Sequence, residues 1–140
     1  MARRVVITGM GIASPLGSTV ESAYGRLHLL KNCITSSNDL AKYNGLHTRL
    51  EARVKDVHMP EDFTRKTTRT MSDVSIMAVV TARDALSDAD LINNPIISSG
   101  QTGVSYVSCC GSVEAIMDFY SMIVNHEVKN LNSGSYIKMM

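Results

Sequence analysis

The 140 residues are 44% hydrophobic and 19% charged, with a formal net charge of +1. That is enough apolar material for one domain over residues 1–140 and too little charge to draw the chain to nucleic acid or an anionic membrane. No apolar run approaches the roughly 18–20 residues that span a bilayer, and the apolar stretch behind Met1-Ala2-Arg3-Arg4 is broken at Gly9 and Gly11, unlike a secretory leader, so a cytoplasmic protein is expected.

Arg4 to Thr8 reads Arg-Val-Val-Ile-Thr, β-branched and without polar alternation, and predicts a strand buried on both faces. Glycines and Pro15 follow. A helix is expected near Ser18, with Ser18 and Glu21 at capping-box spacing and an apolar stripe of Val20, Ala23, Tyr24, Leu27 and Leu30. Residues 33–63 are polar and weakly periodic, a surface excursion with room for a short strand within Leu50–Val57 and a break at Pro60. The strongest helix signal covers Thr64–Ala89, where Val74, Met77, Ala78, Ala82, Ala85, Leu86 and Ala89 recur at helical spacing; Asn93-Asn94-Pro95 closes it. Gly103–Cys110 is a second β-rich run. Ser112 is placed to cap a helix with Val113, Ile116, Met117, Tyr120 and Ile123 on one face, and Lys129–Met140 is expected to be a loop. Strand, helix, excursion, helix, strand, helix predicts α/β layering around a parallel or mixed sheet.

Several patterns suggest chemistry and are outweighed by plainer readings. Gly9-Met10-Gly11-Ile12-Ala13-Ser14 begins like a dinucleotide fingerprint, but Ser14 stands where the third glycine belongs and Pro15 separates the turn from the helix. A tight turn between closely approaching backbones is the simpler reading, and no nucleotide cofactor is expected. Cys33, Cys109 and Cys110 lack the spacing of a disulfide framework or a metal site and read as small buried hydrophobes in a reducing compartment. His28, His47, His58 and His126 share no metal or acid–base spacing and read as surface residues.

Arg3-Arg4-Val5-Val6-Ile7-Thr8-Gly9-Met10-Gly11, followed by Ser14-Pro15-Leu16-Gly17, closely resembles the opening of elongating β-ketoacyl-[acyl carrier protein] synthases of the thiolase-like superfamily. Phe63-Thr64-Arg65-Lys66 with Arg69 and Met71, the stretch Ala82–Leu91, and Thr102-Gly103-Val104 to Gly111-Ser112 continue the resemblance, which covers essentially the whole chain. Tyr43-Asn44-Gly45-Leu46-His47-Thr48 and Ser135-Tyr136-Ile137-Lys138-Met139-Met140 are more similar to ketosynthases of aryl polyene clusters than to fatty-acid enzymes.

The resemblance implies a thiolase-like layered α/β fold, present here as an incomplete N-terminal half. It implies decarboxylative condensation of an acyl thioester with malonyl carrier protein, without metal or cofactor, by a cysteine, two histidines and a lysine that lie beyond Met140. It assigns Ser108, Cys109, Cys110 and Met139 to the acyl pocket and Arg65, Lys66 and Arg69 to an acidic acyl carrier protein; on composition alone those three cations are equally a solvated face. Glycine and an aliphatic residue are usual where this chain has Cys109 and Cys110, so the pocket is expected to differ in shape, with neither thiol taking part in covalent catalysis. The complete protein is expected to be a homodimer or one half of a ketosynthase/chain-length-factor pair, and a non-catalytic partner subunit of that second kind is the alternative function.

Overall fold

The computed structural model describes residues 4–55, 57–128 and 131–140. Five α-helices, two 3₁₀ turns and one short antiparallel ribbon occur among them. Helix α1 covers Val20–His28. Its capping box is Thr19 with Ser22, one residue later than Ser18 with Glu21: the Thr19 hydroxyl accepts from the Ser22 amide at 3.1 Å, and the Ser22 hydroxyl accepts from the Thr19 amide at 3.3 Å. Of the predicted stripe only Ala23 is buried; Tyr24, Leu27 and Leu30 are exposed.

Strand β1, Thr35–Ser36, pairs with β2, Leu50–Glu51, so the excursion does hold the expected short strand. The long helix signal divides in two. Helix α2 covers Arg65–Thr68, capped by the Thr64 side chain, and α3 covers Asp73–Asp88, capped by Ser72, whose hydroxyl accepts from the Ser75 amide at 3.2 Å. Helix α3 ends at Asp88, earlier than Asn93-Asn94-Pro95, because Asp90 turns into the left-handed region at φ 56°. Its deepest residue is Val80, which the predicted stripe leaves out.

Gly9 and Gly11 lie against α3. A Cβ on Gly9 would stand 2.7 Å from the Ala89 amide nitrogen, and one on Gly11 would strike the Thr81 carbonyl, so both positions need glycine for the close approach of two backbones. The Met10 amide then donates to Asp88 Oδ2 at 2.9 Å.

Helix α4 covers Val113–Asn125 with the expected Ser112 cap. The expected terminal loop is instead helix α5, Ser133–Met139, capped reciprocally by Asn132 and Ser135. Helices α4 and α5 pack together, with Phe119 and Tyr136 edge to face at 6.4 Å between ring centroids.

The two β-rich runs meet no strand. Among the described residues neither 4–8 nor 103–110 forms a backbone ladder, and Val5, Val104 and Val107 are 94%, 85% and 94% exposed. The expected burial on both faces is therefore not achieved within the chain, because a central strand needs neighbours and these residues supply none. The whole chain presents 11678 Å² of accessible surface. A compact monomer of 15.3 kDa presents about 7100 Å², so the excess is about 4500 Å².

Candidate functional site

Arg65 and Lys66 lie in α2 and Arg69 caps its C-terminus; all three are exposed, and none pairs with an acid among the described residues. The segment leading into α2 is pinned to α3 by Arg83, whose Nη1 donates to Asp62 Oδ1 at 2.6 Å while its guanidinium carbon lies 6.0 Å from the centre of the Phe63 ring. That hydrogen bond, aided by the nearby positive charge, holds the Asp62 carboxyl below its ordinary range. Spacing alone gave no sign of this brace, since Asp62 and Arg83 are 21 residues apart.

The second group of residues forms a turn. The Ser108 hydroxyl donates to the Cys110 carbonyl at 2.7 Å and accepts from the Cys110 amide at 3.3 Å, fixing Cys109 between them. Cys109 is exposed and Cys110 and Cys33 are half-buried, which corrects the expectation of buried cysteines. For Cys109 the cause is the bare run before the turn, which the described residues leave exposed. Tyr106 anchors that run by donating to the Ala78 carbonyl of α3 at 2.5 Å. The four histidines are exposed, as expected of surface residues.

Helix α5, missed in the sequence, joins the two groups. A Cβ on Gly111 would stand 2.9 Å from the Met139 carbonyl oxygen, so the Ser108–Gly111 turn abuts the end of α5. At its other end, Gly134 lies beside Thr70, one residue beyond Arg69, with 3.6 Å from its Cβ position to Thr70 Cγ2. Seven helical residues span about 10 Å. Helix α5 therefore bridges the residue that follows the cationic helix α2 and its cap Arg69 to the Cys109–Cys110 turn. The signal for α5 was available: Asn132 and Ser135 are spaced for reciprocal capping, although the usual box carries Glu or Gln in the second place.

No group of three or more metal-ligating side chains, and no helix long and apolar enough to cross a membrane, occurs among the described residues.

Comparison with known proteins gives one family. Residues 2–138 match the family described as "Beta-ketoacyl synthase, N-terminal domain". The chain is 28% identical over 139 residues to 3-oxoacyl-[acyl-carrier-protein] synthase 1 of Buchnera aphidicola, covering 99% of this chain and 34% of that protein. It is 31% identical over 94 residues to 3-oxoacyl-[acyl-carrier-protein] synthase 2 of Staphylococcus aureus, covering 64% of this chain and 21% of that one. The crystal structure of a β-ketoacyl synthase from Burkholderia phymatum superposes with a TM-score of 0.89 at 39% identity, over 99% of this chain and 34% of that chain. The chain thus spans about a third of the first of these curated relatives and about a fifth of the second. With the order of elements, the glycine approach to α3 and these matches in agreement, the chain belongs to the β-ketoacyl synthase family, as an N-terminal domain of thiolase-like fold.

Proposed function

We propose that this domain serves an elongating 3-oxoacyl-[acyl carrier protein] synthase, presenting α2 to the carrier and the Ser108–Cys110 turn, with Met139, to the acyl chain. The observation that carries the reading is the joint made by α5, whose start lies beside Thr70, just past Arg69, and whose end abuts Gly111 of that turn. In this reading the complete enzyme works in the cytoplasm as a dimer. An acyl group passes from carrier phosphopantetheine to a cysteine thiolate, and malonyl carrier loses carbon dioxide to give the carbanion that attacks the thioester, so covalent catalysis divides one hard step into two. Tyr43–Thr48 and Ser135–Met140 favour the aryl polyene pathway over fatty-acid synthesis.

Lys66 and Arg69 steer the acidic carrier. Exposed cation contacts contribute about 1 kcal/mol or less each. Reversing both to glutamate in the complete enzyme is therefore expected to raise the carrier KM severalfold at low salt and to flatten its dependence on ionic strength. A KM unchanged at low salt would assign them to a solvated face.

Cys109 and Cys110 set the shape of the pocket. The Cys109 thiol is larger than the glycine usual there, and a packed site registers even one extra heavy atom. Cys109→Gly in the complete enzyme is expected to change the order of kcat/KM across acyl lengths, by about 1–3 kcal/mol at most, with condensation intact. The check is kcat/KM for each acyl length, with mass spectrometry locating the acyl-enzyme bond. Acyl transfer to Cys109 or Cys110, or loss of all turnover in a folded variant, would refute the assignment.

A further inference from the structure

Between the Ser14–Gly17 turn and the β1–β2 ribbon lies a polar cleft of about 810 Å³, lined by neither the cysteine turn nor α2. Its charges are unevenly matched. Arg53 Nε holds Glu51 at 2.8 Å and its Nη2 reaches Asp39 at 3.4 Å, while Asp39 also accepts from Lys42 at 2.9 Å. Both acids are thus satisfied. The remaining cations of the cleft, Arg26 and Lys55, form no ion pair among the described residues. Arg26 Nη1 makes only long approaches, 3.4 Å to the Pro15 carbonyl and 3.5 Å to Cys33 Sγ, which leaves its other guanidinium donors open.

Ser37, on the wall of this cleft, is 5% exposed. Its amide donates to the Arg49 carbonyl at 2.7 Å, but its hydroxyl has no partner among the described residues. No side-chain oxygen among the described residues is both fully sealed and unpartnered, so the Ser37 hydroxyl keeps some exposure, and Ser37 lines the cleft. A hydroxyl that keeps some exposure and has no protein partner is free to donate to an acceptor placed against it. Two unneutralised cations and one open hydroxyl on the same cleft suit a compact anion with several acceptor oxygens, and a guanidinium fork matches such oxygens well.

We propose that this cleft binds phosphate or a phosphate monoester, held by the charges of Arg26 and Lys55 and the hydroxyl of Ser37. Equilibrium dialysis of the complete enzyme against radiolabelled inorganic phosphate at low ionic strength tests it. Saturable retention of about one phosphate per chain in the millimolar range is expected, weakened about fivefold by Lys55→Gln, an exposed and unpaired position, and also by Ser37→Ala. Displacement by glycerol 3-phosphate at lower concentration than by unlabelled phosphate would support an ester ligand; the reverse order would support free phosphate. Absence of saturable retention, or an affinity unchanged in Lys55→Gln and Ser37→Ala when both keep the helix content of the parent by circular dichroism, would overturn the proposal.

Discussion

Supplied with acyl and malonyl carrier protein, the purified 140-residue chain is expected to form no 3-oxoacyl product above a protein-free blank. Condensation needs a thiolate, groups that polarise two thioester carbonyls and a site that holds both substrates, and such members act as a set: losing one removes most of the rate, commonly by several orders of magnitude. The cysteines of this chain do not supply the set. The only side-chain hydrogen bond to a cysteine sulfur among the described residues is the long one from Arg26 to Cys33, and no histidine is bonded to any of the three. The family resemblance places the catalytic cysteine, histidines and lysine outside these residues. Mass spectrometry of the carrier protein after prolonged incubation checks this, and 3-oxoacyl carrier from this chain alone would contradict it.

The same chain is expected to associate rather than to melt as a soluble monomer. The reason is its excess of about 4500 Å² of surface over a compact protein of equal mass. That excess lies in the range of obligate interfaces and far above the few hundred Å² of apolar patch usual on a monomer. Much of it is apolar: Val5 to Ile7, Val104, Val107 and the exposed side of α4 from Val113 to Ile123 are bare. The runs at 4–8 and 103–110 contain a single charged residue, Arg4, and offer unpaired backbone groups, the combination that promotes edge-to-edge pairing. Light scattering with a thermal scan is the check. A sharp cooperative transition from a soluble monomer, independent of protein concentration, would contradict the expectation.

Local signals in the sequence located most elements, whereas what buries them was not local. Ser112 was legible as a cap because one hydroxyl three residues ahead of a free amide suffices. The start of α1 slipped by one residue because Ser18 and Thr19 are both competent caps, and Ser22 rather than Glu21 completes the reciprocal pair. Helices α2 and α3 merged in the periodicity because the break between them is made by Ser72, a polar residue that fits a helical pattern as easily as it caps one. Helix α5 was lost because Gly134 argues against a helix and Ser135 is an unusual second member of a capping box. The apolar runs were visible as β-rich, but a ladder depends on a partner strand that periodicity does not reveal. In the candidate site, the residues Arg65, Lys66, Arg69 and Ser108–Cys110 came from resemblance. Their proximity came from α5, through contacts at Gly111 and Gly134 that no motif encodes.

The proposed function, an N-terminal domain at work in a condensing enzyme, is tested most directly by a chimera. The first third of the Burkholderia phymatum β-ketoacyl synthase, the part this chain matches at 39% identity, is replaced by these 140 residues, and 3-oxoacyl carrier product is measured by mass spectrometry beside the unaltered synthase. A soluble, cooperatively folded chimera that condenses acyl and malonyl carrier is expected, with a preference among acyl lengths altered by the Cys109–Cys110 turn. A chimera that folds as well as the unaltered synthase, keeps its nucleophile and yet makes no product would contradict it.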